Sequence, residues 1–328
     1  MQKICYLHLG FHKTASTSFQ ATCAKNINLL EEHDITYPIF KCNHRPEGIV
    51  NHSIPMISMF CNEPENYHIN KRWKIDKEIN GVNASYKNQF EEYLASSKNL
   101  CISGEGISLL DPTSLRKMIS TITNYDYKIN AIALIRSPYS ALCSEIQQKI
   151  KKGFPNSLIS LNDSARKPNW LKELSKARLV EKLDSIFRSS INYFSFETAC
   201  QHLYGPAGFL IQNHLRTDSS KFMYFNENKS LYNLTVRLQN ELNKVSPRFK
   251  GKTEEKCLTF PKGALNPQFI QLNKRIDQNF ADSGIFLLTE AEHSIIEDHI
   301  ISETDQLLKL TGINFKHENI KFSEAYIK

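Results

Sequence analysis

The sequence predicts an α/β fold of three layers, with a central parallel sheet between helices. Three observations carry that expectation. Strand-like and helix-like segments alternate through the first half of the chain; residues 128–136 include Ile129, Ala131, Ile132, Ala133, Leu134 and Ile135; and a short apolar opening runs into a hydroxyl-rich turn and then an amphipathic segment. Near-continuous apolar runs suit strands buried on both faces, as in parallel sheets covered by crossover helices.

After an opening strand, the first helix is expected to start within residues 14–17, any of which serves as its cap, with Phe19, Cys23, Ile27 and Leu30 on one face. Residues 35–38 read as a short strand or extended exit. Pro46, Pro55 and Pro64 punctuate residues 40–98, which read as a peripheral insertion of loops and helices with a helix at 86–96. Residues 99–105 form a strand ending on Glu105, and Asp111 with Pro112 marks the start of a helix carrying Leu115, Met118, Ile119 and Ile122. Pro138 then opens a helix that buries Tyr139, Leu142, Cys143, Ile146 and Ile150. Beyond it, helices are expected at 170–187, 197–204, 209–215, 230–245, 266–282 and 290–311, with a strand at 191–196. Neither repeats nor low-complexity linkers interrupt the chain. It reads as one domain over residues 1–328, with substrate-side insertions around 40–98 and 150–190.

A hydrophobic content of 41% is ample for a core. The net charge of +7, spread without a basic tract, favours an anionic small ligand or a polyanionic substrate over dedicated nucleic-acid binding. No apolar run reaches the ~20 residues of a membrane span, and the first seven residues are too short and strand-like for a signal peptide. A soluble, cytoplasmic protein is expected. Eight scattered cysteines without a CxxC pair read as reduced core residues, and the eleven histidines show no zinc spacing, so no metal is implied. The pairs Glu91-Glu92 and Glu254-Glu255 read as solvated charges.

The chemistry concentrates where the opening strand meets the first helix. A helix N-terminus fed by a strand leaves free backbone N–H groups and the positive end of the helix dipole at one spot. Lys13, Thr14, Ser16, Thr17 and Ser18 crowd that spot, with Ala15 among them, so an anion such as phosphate or sulfate is the expected occupant. The spacing is not that of a GxxxxGK[ST] loop, since Lys13 follows Gly10 by three positions.

The order Gly10-Phe11-His12-Lys13-Thr14-Ala15-Ser16-Thr17-Ser18 resembles the 5′-phosphosulfate loop of sulfotransferases that use 3′-phosphoadenosine 5′-phosphosulfate (PAPS), whose bacterial members commonly show Gly-x-x-Lys-Thr-Gly-Thr-Thr-Ser. Ala15 stands where that pattern has glycine. A second match is Arg136 at a strand end with Ser144 eight residues on, a spacing at which the family holds the 3′-phosphate of the donor. Tyr193-Phe194-Ser195-Phe196-Glu197 and Asn226-Glu227-Asn228-Lys229-Ser230-Leu231 are weaker matches, and the family's Gly-rich loop ending in Trp-Lys is not found.

The resemblance implies a P-loop-type, nucleotide-kinase-like sulfotransferase fold and PAPS as co-substrate, with no metal required. It also implies sulfuryl transfer to a hydroxyl or amine, the acceptor being a glycan or another hydroxyl-bearing metabolite by likeness to bacterial carbohydrate sulfotransferases. Lys13 would stabilise the departing phosphate, and Thr14, Ser16, Thr17, Ser18 and the backbone at Ala15 would add donors. For the general base, Glu105 stands first, His52 second in the insertion where relatives place theirs, and His12 can reach donor or acceptor. The alternatives are a P-loop-type kinase using ATP, and a non-catalytic protein that keeps the fold and binds a nucleotide or a partner.

Overall fold

Parallel strands need cover on both faces and long crossovers between them, and the chain supplies both. The computed structural model describes residues 2–96, 98–159, 165–168, 170–171, 175–225, 230–245, 280–316 and 320–323. In chain order, β1 (Lys3–Leu9) leads to α1 (Ser16–Lys25), α2 (Ile27–Glu32), β2 (Ile35–Thr36) and the hairpin β3 (Phe40–Cys42) and β4 (Arg45–Ile49). Next come α3 (Ser53–Phe60), α4 (His68–Trp73), α5 (Ile79–Ala95), β5 (Asn99–Gly104), α6 (Pro112–Thr123) and β6 (Tyr127–Ile135). The remainder is α7 (Pro138–Lys151), α8 (Lys176–Phe187), β7 (Ile191–Ser195), α9 (Phe196–Cys200), α10 (Gly205–Asn213), α11 (Asn233–Val245), α12 (Glu290–Ser294) and α13 (Glu297–Thr311).

Packing groups the chain into two compact units, Met1–Arg136 with Arg178–Asn228, and Ser137–Ala177 with Lys229–Lys328. This is a finer division than the single domain expected from the sequence. It follows from distant segments sharing a core, which no local composition shift announces.

The first unit carries the expected parallel sheet, five strands in the order β2-β5-β1-β6-β7. Leu7 lies opposite Ile102 on one side and Ala131 on the other. Alternation then sorts the faces. Tyr6, Cys101, Ile132 and Leu134 pack with Phe19 and Cys23 of α1 and Leu210 and Ile211 of α10. The opposite row, Cys5, Leu7 and Leu9, is fully buried too. Asp111 caps α6 as expected, accepting from the Thr113 and Ser114 N–H groups at 3.0 Å, with Pro112 in the first turn.

From β1 the chain turns toward β2 and β5, whereas from β6 it turns the other way, to β7. The crevice outside the carboxyl ends of β1 and β6 is therefore a topological switch point, where open α/β sheets bind ligands.

Several local expectations change. Within residues 40–96 the helix expected at 86–96 is the second half of α5, a hairpin and further helices accompany it, and Phe40, Met56, Tyr86, Phe90 and Leu94 are buried. Pro55 does not break α3, because it sits in the first turn, where its missing N–H has no partner to lose. The first helix divides at Asn26, whose side-chain amide takes the Thr22 carbonyl at 2.7 Å and the Met223 carbonyl at 2.9 Å. The helix expected at 290–311 divides at 295–296. Cys200 is exposed, unlike the buried Cys5, Cys23, Cys101 and Cys143, and no disulfide forms among the described residues. Cys257, Glu254-Glu255, residues 226–229 of the Asn-rich match and 266–279 of an expected helix lie outside the described residues.

The second unit is helical, with Leu142 and Ile146 of α7 packed near Val236, Leu288 and Ile296. Its centre holds a buried ion pair, Arg237 to Glu292 at 2.6 and 2.9 Å, and Glu292 also completes a capping box with Thr289. The bidentate fork and the further bond from Arg237 Nε to Asn233 at 3.0 Å offset the desolvation of both charges. No helix of the described residues is long and apolar enough to cross a membrane.

Candidate functional site

Gly10 follows the opening strand, and the chain must then turn within a few residues to enter α1. It does so through two left-handed, non-glycine residues, Lys13 at φ 67 and Ala15 at φ 60, with Thr14 between them outside that region. Such alternation curls successive backbone N–H groups toward one side, which makes an anion-binding concavity, and here it runs straight into a helix N-terminus. Ala15 is itself the N-cap of α1, inside the expected start at residues 14–17, and its side chain makes no cap hydrogen bond. The cap residue therefore supplies no side-chain acceptor to the first turn of α1.

The hydroxyls divide by role. Thr14 is buried and donates to the Phe11 carbonyl at 2.7 Å, so its proton holds the turn together. Ser16 is buried with an Oγ that has no hydrogen-bond partner, and it points at Gly10, where any Cβ would come within 2.3 Å of it. Thr17 is exposed and Ser18 buried. An unpartnered buried hydroxyl at a helix N-terminus is an unmet polar demand that an anion would meet.

Arg136 follows β6 and reaches this turn. Its Nη1 donates to the Lys13 carbonyl at 3.3 Å, and its guanidinium lies over the Phe196 ring at 5.1 Å. A planar cation stacked in this way is held in orientation, ready for a bidentate anion. Ser144 sits on α7, in the second unit, and is tied to Arg136 here by sequence spacing alone.

Glu105 lies just past β5, beside the turn, because Gly10 lets the two chains approach: a Cβ there would fall 3.0 Å from the Glu105 Cα. Its carboxylate meets His12 Nδ1 at 2.5 Å. Burial pushes the Glu105 pKa up, but the His12 hydrogen bond, the charges of His12 and Lys13 and the Lys13 backbone N–H outweigh it and hold the carboxyl below its usual range.

His52 is elsewhere in every chemical sense. β2 pairs only with residues 99–100 of β5, so Ser103 has no strand partner on that side, and His52 supplies one. The His52 N–H donates to the Ser103 carbonyl at 3.1 Å, the Ser103 N–H donates to His52 Nδ1 at 2.9 Å, and His52 Nε2 bonds the Pro38 carbonyl at 2.7 Å. Fully buried beside Tyr37 and Phe40, with both ring nitrogens engaged, His52 is a structural residue in this fold, which corrects its place among the candidate bases. Burial pushes its pKa down to about 4.

Sequence reasoning missed the layer beneath the turn. His8 Nδ1 bonds Ser103 Oγ at 2.8 Å, and Gln20 Nε2 donates to the Ser103 carbonyl at 3.1 Å, joining β1, β5 and α1 below the site. The alternation of β1 was the available signal, since it turns His8 to the same buried face as Tyr6. Phe196 was quoted only as part of a strand end. Among the described residues no group of three or more His, Cys, Asp or Glu is placed to hold a metal ion.

No protein-family model, curated protein or solved structure matches the chain.

The Ala15 geometry yields a direct test. A left-handed L-residue costs roughly 1–2 kcal/mol that glycine avoids, partly offset by the looser unfolded chain of glycine. Ala15→Gly is therefore expected to raise stability by up to about 1 kcal/mol in urea unfolding. A loss of stability would show that Ala15 is not held left-handed in solution.

Proposed function

We propose that the chain is a PAPS-dependent sulfotransferase on a P-loop-type fold, moving a sulfuryl group to a hydroxyl of a glycan or similar acceptor. One observation carries this reading: the turn after β1, with its curled amides, unpartnered Ser16 hydroxyl and Lys13, stands at the switch point with Arg136 in hydrogen-bond contact. A donor with two separated phosphate groups is a ligand that uses both parts. The likeness of the loop and of the Arg136 and Ser144 spacing to sulfotransferases selects the sulfate-bearing donor.

In this reading the amides of residues 14–16 and Ser16 Oγ hold the 5′-phosphosulfate, and the Lys13 side chain stabilises the charge growing on the bridging oxygen as the S–O bond breaks. Arg136 exchanges the Lys13 carbonyl for the 3′-phosphate, a charged acceptor that its fork fits better. Transfer is in line through a loose transition state, so positioning and charge supply the catalysis.

Adenosine 3′,5′-bisphosphate at a hundred times its Kd is expected to stabilise the protein by about 2.7 kcal/mol, seen as a rise in Tm, with ATP and magnesium giving less. Arg136→Ala is expected to weaken that binding at least about tenfold, the worth of one lost charged hydrogen bond. Absence of any Tm rise with the bisphosphate overturns the sulfotransferase reading.

A further inference from the structure

We infer that His12 is the group that takes the proton from the acceptor hydroxyl, and that Glu105 is the positioning residue that holds its ring; this rests on the sulfotransferase reading above. Glu105 reaches His12 through Nδ1 at 2.5 Å, and Nε2 has no hydrogen-bond partner among the described residues. An ionised carboxylate can only accept, so Nδ1 carries a proton, and in the neutral ring the lone pair is then on Nε2. The imidazole side chain is 48% exposed and that of Glu105 30%, so His12 is the outer member of the pair, facing where an acceptor arrives, and Glu105 the inner one. This is the division of labour in which a carboxylate fixes tautomer and orientation while the imidazole moves the proton.

Glu105 suits the inner role. Its oxygens already receive the His12 and Lys13 N–H groups, which lowers its own basicity. The charged groups beside His12 are Glu105 after β5 and Lys13 on the same turn, and Arg136 after β6 is bonded to the Lys13 carbonyl. As the acceptor oxygen bonds to sulfur, its proton passes to His12 Nε2, the bond from sulfur to the bridging oxygen breaks, and that electron pair stays on the 5′-phosphate of adenosine 3′,5′-bisphosphate.

Water can serve as the acceptor, so release of inorganic sulfate from PAPS tests the assignment without knowledge of the natural substrate. His12→Ala is expected to lower that rate at least about a hundredfold, in the range of a lost general base, while bisphosphate binding by thermal shift stays within about twofold of the parent. Added imidazole is expected to restore part of the rate. Glu105→Gln is expected to lower kcat with little change in KM for PAPS, and Glu105→Asp to recover part of it. Independently of turnover, long-range 1H–15N correlation is expected to show His12 as the Nδ1–H tautomer in the parent and as a mixture in Glu105→Gln.

Retained sulfate release by His12→Ala, no release by the parent despite bisphosphate binding, or an Nε2–H tautomer in the parent would each overturn the assignment. Failure of the parent to bind the bisphosphate overturns the sulfotransferase reading instead, and the tautomer measurement still judges the pairing.

Discussion

Acidification from about pH 7 to about pH 4.5 is expected to remove much of the stability of the protein through two buried histidines. His8 and His52 are fully buried, and burial lowers each from the ordinary 6.5 to about 4. The unfolded chain therefore binds protons that the folded one refuses. The stability these residues contribute is fully present above pH 6.5 and is lost progressively as pH falls toward 4. At about 1.36 kcal/mol per pKa unit, each can withdraw up to about 3 kcal/mol, against a total that is typically 5–15 kcal/mol. His214, also fully buried and lowered by desolvation, acts in the same direction. Urea midpoints measured from pH 7.5 to pH 4.5 should fall steeply, and His52→Gln, whose amide can still donate to the Pro38 carbonyl, should shallow the fall. A flat profile would mean that these rings are hydrated or charged in the folded protein.

Gly10→Val is expected to abolish bisphosphate binding and to destabilise the fold by about 1–3 kcal/mol, the usual range for overpacking. A Cβ at this position meets Ser16 Oγ at 2.3 Å and the Glu105 backbone at 3.0 and 3.2 Å. Ser16 could rotate, but the Glu105 backbone belongs to the exit of β5, and moving it separates Glu105 from His12 and opens the turn. Binding should therefore be lost more completely than stability. Normal bisphosphate affinity in Gly10→Val would show that the β1 and β5 exits are free to part without cost to the site.

The sheet was legible because buried parallel strands leave a strong mark: the run 128–136 could hardly be anything else, and Asp111 with Pro112 named a helix start that the structure reproduces. The polar turn after β1 and Arg136 after β6 were legible as strand exits, and the structure brings them within hydrogen-bond distance of each other. His52 was not, because a histidine in a polar stretch looks the same whether it faces solvent or replaces a missing strand partner for Ser103. The left-handed Ala15 was hidden among hydroxyls that read as caps, since its φ is imposed by the approach of β1, β5 and α1 and not by its own preference. The layout of residues 40–96 was obscured by Pro46, which lies in β4, and by Pro55 and Pro64, whose places in first turns cannot be known before the helices are placed. The division into two units depends on residues 137–177 meeting residues beyond 229, a pairing that sequence order conceals.

The use of Lys13 and Ala15 where glycines would sit more easily has a consequence for affinity. A glycine turn wanders among many backbone states when empty and must surrender that freedom when an anion arrives. A side chain at each left-handed position narrows the choice in advance, so the cost of shaping the cradle falls on the folding equilibrium and little of it remains for the binding one. Ala15→Gly should then divide the two quantities, giving a sturdier protein whose anion association is opposed by a larger loss of conformational entropy.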